Sequence, residues 1–202
     1  MSDQARNEHR AALLLIDVMN DFNFDDAEAL AVQMEAPSHA ISALCGQVRA
    51  LGIPVVYVND NFGLWRSEKS AIVEHCRRKA GRHWKIVENL VPQPDDYFVV
   101  KPRHSGFFAS SLPVLLPDLR ARKLILTGVA ADICVLFTAN DAYMRDYTLW
   151  IPSNCVASTS RERRERALDY MGRILKAEIR PTTELAVETW LKSADVSDRF
   201  SG

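Results

Sequence analysis

The sequence predicts an α/β fold, a doubly wound three-layer α/β/α sandwich around a parallel sheet. Short apolar runs alternate with longer amphipathic stretches along the chain of 202 residues. Most of these runs are continuously apolar rather than alternating, as strands covered on both faces must be. Strand-length and helix-length segments also follow one another in turn, which right-handed β–α–β crossovers assemble into a sheet flanked by helices.

The first run, "AALLLID" at 11–17, is apolar until its closing acid, and a helix is expected at 38–51. "IPVVYVND" at 53–60 is rich in β-branched residues and ends in a polar cluster, followed by a helical stretch at 67–80. "YFVVK" at 97–101 is stopped by Pro102, and a shorter helix near 110–120 follows. "KLILTG" at 123–128 ends in glycine before a helix at 132–145, and "TLWIP" at 148–152 ends in proline before one at 160–175. Within that last helix, "SRERRERALDY" sets Arg and Glu at helical spacing, the pattern of a solvated face laced with ion pairs. A weaker run, "AEIRP" at 177–181, is the sixth strand candidate, and a helix near 182–192 closes the chain.

Composition narrows the function classes. Hydrophobic residues make up 48% and charged residues 25%, the balance of a globular domain, and the length suits one domain over 1–202 with polar, loosely held termini at 1–9 and 194–202. A formal net charge of −1 gives no field to draw in nucleic acid or an anionic membrane. No apolar run approaches the roughly 20 residues of a membrane span, and the polar start "MSDQARNEHR" has no signal-peptide core, so a cytoplasmic location is expected. Cys45, Cys76, Cys134 and Cys155 show no close pairing, so they are expected to be reduced and to hold no zinc.

In a doubly wound sheet ligands bind outside the carboxyl ends of the strands, near the switch in strand order. Three of those ends carry reactive groups. Asp17 closes the first run, Lys101 closes the third, and Cys134 follows the fourth through the loop "GVAAD". Each has an inert reading: a turn-forming acid, a lysine snorkelling to water, a cysteine packed as a small hydrophobe. Their joint placement at one sheet edge supports a reactive one. A thiol needs activation, since its pKa is about 8.5 and only the thiolate attacks readily. A helix start with Asp132 as N-cap and a nearby lysine would both favour the thiolate. Asp17 would take the thiol proton, Lys101 would balance and hold the acid, and Cys134 would attack a carbonyl. Backbone N–H groups of Ala130 and Cys134 would receive the oxyanion.

Three segments, "LLLIDVMNDF" with Asp17, "VVKPRHSGFFASSL" with Lys101 and "LTGVAADICVLFTANDAYMRDY" with Cys134, resemble the isochorismatase-like cysteine hydrolase superfamily. The resemblance covers roughly residues 10 to 190, and its third motif is the specific one. It implies a six-stranded parallel sheet, a cis Val129–Ala130 peptide and a homodimer or homotetramer. Because isochorismatases proper usually lack the cysteine, Cys134 implies the amidohydrolase branch and hydrolysis of a small amide, carbamoyl or ureido compound. Metal-dependent nicotinamidases carry Asp-x-His after the second strand. Here "NDNFGLW" offers Asp60 but places Phe62 where the histidine would be, and His75 and His83 make poor substitutes, so a site without metal or other cofactor is expected. Asn61, Phe62 and Trp65 are the expected pocket walls, with Phe22, His104 and Phe107 from other loops. Phe24 is a further candidate wall, and Arg66 reads as a surface arginine rather than a carboxylate partner. An isochorismatase-type hydrolase of another small molecule is the rival reaction, a Cys134–His104 pair the rival mechanism, and a thiol sensor with Cys155 as resolving cysteine, or a binding protein that kept the scaffold, the rival class.

Overall fold

A computed structural model describes residues 9–63 and 68–193. Six strands form its sheet: β1 (Ala11–Ile16), β2 (Val55–Asp60), β3 (Tyr97–Lys101), β4 (Lys123–Val129), β5 (Thr148–Trp150) and β6 (Val156–Ala157). The order is β3-β2-β1-β4-β5, and every pairing is parallel. Strands β5 and β6 share one edge of β4: β5 pairs with Lys123–Ile125 and β6 with Gly128 and Val129. The helices are α1 (Ala27–Ala50), α2 (Lys69–Lys79), α3 (Trp84–Val87), α4 (Leu112–Asp118), α5 (Leu136–Tyr143), α6 (Arg161–Arg173) and α7 (Val187–Leu191).

Alternation along each strand divides the apolar residues between two cores. Leu13, Leu15, Val55, Tyr57 and Ile125 face α1, α2 and α7, and Leu14, Ile16, Val56, Val58, Leu124 and Leu126 face α4, α5 and α6. All six residues of β1 are fully buried, which is why its run is continuously apolar. Each such Leu, Ile or Val contributes roughly 1.5–3 kcal/mol on burial. The α/β sandwich with a six-stranded sheet expected from the sequence is the fold observed.

Three elements differ from expectation. Helix α1 starts at Ala27, well before position 38, because Ala27, Leu30, Ala31 and Met34 continue the buried face of Ile41, Leu44 and Val48 through Pro37. The sixth strand is β6 rather than the run at 177–181, where Glu178 makes only an isolated bridge to Trp150. Pro152 ends β5, a short turn over Ser153–Cys155 follows, and the chain returns to β4 for two residues, too few for any periodicity to show. Helix α3 and the short turns around it are not among the elements the sequence predicts. The termini 1–8 and 194–202 lie outside the described residues, as do Trp65 and Arg66.

Candidate active site

Strand β1 leads to β2 on one side and is flanked by β4 on the other, so the strand order reverses at the carboxyl end of β1. Asp17 stands there in a left-handed conformation with φ 50°, which an L side chain rarely holds without support. Its N–H donates to Val58 O at 3.1 Å, and its Oδ1 accepts the Asp60 N–H at 2.8 Å. Lys101, the last residue of β3, lies two strands away, about 10 Å at the usual strand spacing. The long lysine side chain bridges that gap. Lys101 is 1% exposed, and its Nζ lies 2.7 Å from Asp17 Oδ2. The same ammonium donates to Arg103 O at 3.1 Å and to Cys134 Sγ at 3.6 Å.

Cys134 sits in a π-helical turn, Ala131–Val135, closed by Val135 N–H to Ala130 O at 3.1 Å, which leads into α5. The approach to it is tight. At Gly128, φ is 108°, and a Cβ there would come 2.0 Å from Ile16 O, so only glycine lets the end of β4 lie this close to β1. The Val129–Ala130 peptide is cis. Among the described residues no acceptor takes the Ala130 N–H. From α5, Thr138 ties the cysteine to the loop after β3: its hydroxyl donates to Cys134 O at 2.7 Å and accepts the Gly106 N–H at 2.9 Å.

Electrostatically the site keeps the thiol protonated. Burial pushes the Cys134 pKa up, the Asp17 charge pushes it further, and Lys101 opposes without prevailing. The expected stabilisation of thiolate by the helix start and the lysine is therefore outweighed. For Lys101, burial alone would favour the neutral amine, but the neighbouring Asp17, Cys134 and Asp60 outweigh it and hold the ammonium charged. Asp132 is not an N-cap, because Ala130 occupies the cap position. Its carboxylate instead accepts the Ser158 hydroxyl at 2.6 Å and Arg163 Nε at 2.5 Å.

A cavity of about 290 Å³ opens over these groups, lined in part by Asp17, Asp60, Phe62, His104, Ala130 and Cys134. Phe24 is on its wall, as are Met19, Leu30, Val129 and Ile133. His104 Nδ1 lies 3.8 Å from Cys134 Sγ, with its ring against Phe137. Phe22, Asn61 and Phe107 do not line the cavity. Phe22 is turned into the core against His83, Asn61 Oδ1 closes a turn on Gly63 N–H at 3.0 Å, and Phe107 packs between Tyr147 and Arg145. Cys155 is fully buried in the core on the α1 side of the sheet, unlike the half-buried Cys134.

Residues 11–182 match the family model described as the isochorismatase domain. The chain belongs to the isochorismatase family. The uncharacterized isochorismatase family protein YaaI of Bacillus subtilis strain 168 is 43% identical over 173 residues, covering 86% of this chain and 93% of that one. The ureidoacrylate amidohydrolase RutB of Pseudomonas syringae pv. syringae is 30% identical over 161 residues, and the match spans 67% of this chain but only 66% of that protein. Among solved structures, the nicotinamidase SaPncA of Staphylococcus aureus superposes with a TM-score of 0.65 at 26% identity, over 85% of this chain and 99% of the other.

Among the described residues the candidate metal ligands of this isochorismatase-family site are engaged elsewhere. Asp60 Oδ1 accepts the Phe62 N–H at 2.6 Å, His75 pairs with Asp21 at 2.9 Å under the Phe62 ring, and His83 pairs with Glu28 at 3.2 Å. Among the described residues no group of three or more His, Cys, Asp and Glu is placed to share an ion. The sequence does not mark Met19, Asp26, Leu30 or Ile133 of the cavity wall as site residues, nor two polar residues at the site, Asn59 and Arg163. Asn59 accepts the Met19 N–H at 3.0 Å and donates to Met19 O at 2.9 Å, fixing the turn that follows Asp17. Arg163 lines the cavity, although its segment reads as a solvated face. The only signal for Asn59 was an amide inside a polar strand end, and for Arg163 there was none.

Proposed function

We propose that the chain is a cysteine hydrolase that cleaves the C–N bond of a small amide, carbamoyl or ureido compound through a thioester. The observation that carries this reading is one buried ammonium, Lys101 Nζ, within 2.7 Å of Asp17 Oδ2 and 3.6 Å of Cys134 Sγ at the cavity floor. Similarity to a ureidoacrylate amidohydrolase and to a nicotinamidase supports the same bond class.

A thiol held protonated needs a base at the moment of attack. Asp17 removes the proton from Cys134 Sγ as the sulfur bonds to the substrate carbonyl carbon, and the carbonyl electrons move to oxygen. The N–H groups of Ala130 and Cys134 receive that oxyanion. Asp17 returns the proton to the departing nitrogen, the C–N bond breaks, and the acyl group remains on sulfur. Water then loses a proton to Asp17 and attacks the thioester, and the C–S bond breaks to give the acid and the thiol. Lys101 holds Asp17 in place as the proton comes and goes. Ammonia release should exceed that of a Cys134→Ala blank for at least one member of a panel of amides, carbamoyl amino acids and ureido acids. No release above the blank across the panel rejects the proposal.

A Cys134–His104 pair is favoured by one observation, the 3.8 Å approach of Nδ1 to Sγ. If His104→Ala abolishes turnover while Lys101→Ala keeps it, the base is the histidine.

A further inference from the structure

We propose that Arg163 selects substrates bearing a single carboxylate, so that the compound cleaved is an amide or ureide of a small organic acid; this rests on the hydrolytic reading of the cavity. Three of the four other arginines on α6 pair with acids one turn away: Arg161 with Glu165, Arg166 with Glu162 and Arg173 with Asp169. Arg163 leaves that pattern and reaches Asp132, two residues before the cysteine. Asp132 is in turn fixed by the Ser158 hydroxyl, and the Arg163 N–H bonds to Ser160 Oγ at 3.2 Å.

The guanidinium is thus held by its Nε edge. Among the described residues no acceptor takes its Nη1 or Nη2 groups, and the side chain is half exposed, so four of its five N–H donors are open to solvent or a ligand. Such a planar fork matches the two oxygens of a carboxylate. Among the described residues lining the cavity Arg163 is the one Lys or Arg, because Lys101 is spent beneath the floor on Asp17. The charge it meets should be one rather than two. Asp132 already balances part of the guanidinium, and Asp17, Asp26 and Asp60 on the same walls would repel a dianion such as phosphate.

An inert reading makes Arg163 a strut that only ties α6 to the cysteine turn. Calorimetry on Cys134→Ala protein separates the two without turnover, with N-carbamoylglycine and its neutral methyl ester as probes. The acid should bind about tenfold or more tighter than the ester, the scale of a charge-assisted hydrogen-bond pair. Arg163→Gln in that background should collapse the acid-to-ester ratio toward one, and Arg163→Lys should restore part of it. Equal weakening of both probes by Arg163→Gln, or no preference for the acid at the outset, overturns the inference. Because this readout is equilibrium binding, it is independent of the ammonia-release screen. An Arg163-dependent acid preference in a protein that releases no ammonia would sink the hydrolytic reading and leave the anion site standing.

Discussion

Asp17 does two opposed things to Cys134, and they can be measured separately. As a negative neighbour it raises the thiol pKa, and as a base it removes the proton when the carbonyl arrives. Alkylation by iodoacetamide reports the first effect, because only the thiolate reacts. A raised pKa means little thiolate at neutral pH, so labelling of the intact enzyme should keep rising with pH beyond the ordinary thiol range. Asp17→Asn removes the charge that raises the pKa and leaves Lys101 beside the sulfur, so labelling should shift to lower pH. Hydrolysis in the same variant should fall by about 10²–10⁴-fold, the usual contribution of a positioned base. Labelling that became slower in Asp17→Asn would show that another group governs the thiol. The readout is selective, since Cys45, Cys76 and Cys155 are buried while the half-buried Cys134 lines the cavity.

At the scale of elements, the site depends on how closely the ends of the strands approach. Gly128→Ala would drive a methyl group into Ile16 O, which belongs to backbone and cannot swing aside. Soluble folded protein should drop sharply, and a variant with unchanged thermal stability would contradict that packing. Asn59→Ala tests the turn after β1 more gently. The side chain is 0% exposed, so its loss strands the N–H and C=O of Met19 away from water. About 1–3 kcal/mol is expected for each unsatisfied group, seen as a lower urea midpoint at constant slope. Turnover should fall as well, because Asp17 belongs to the same turn. A loss of stability with full activity would mean that the turn does not position the carboxylate.

For the molecule as a whole, we propose that the described residues unfold as one domain, because the two cores share the sheet between them. Leu14 and Leu15 are adjacent in β1, yet they point into opposite cores. Leu14→Ala and Leu15→Ala should each cost about 2–5 kcal/mol and lower the midpoint of one common transition. Two separable transitions, each sensitive to one variant, would divide the chain into independent units. The buried ion pair responds on the same scale. Lys101→Met leaves the Asp17 carboxylate without its cation, and about 3–5 kcal/mol is expected when one partner of a buried pair is removed. An unchanged urea midpoint would show that water reaches the pair.

The sequence alone determined five strands of the sheet and the three groups at its edge. Strands buried on both faces must be continuously apolar, and a charged or reactive residue that ends such a run, as Asp17 and Lys101 do, stands out against it. Helix α1 was half legible, because Pro37 interrupts a hydrophobic face that continues on both sides of it. Strand β6 was invisible, since two residues carry no period. What the pocket contains was decided by the tertiary structure. An aromatic beside a strand end can turn to the core, as Phe22 and Phe107 do, or to the cavity, as Phe24 and Phe62 do, and local spacing is the same for both. Arg163 shows the limit most clearly: its neighbours along α6 fix its helix, but only Asp132, brought in from the turn after β4, sets its guanidinium apart from the surface pattern, on a residue that lines the cavity.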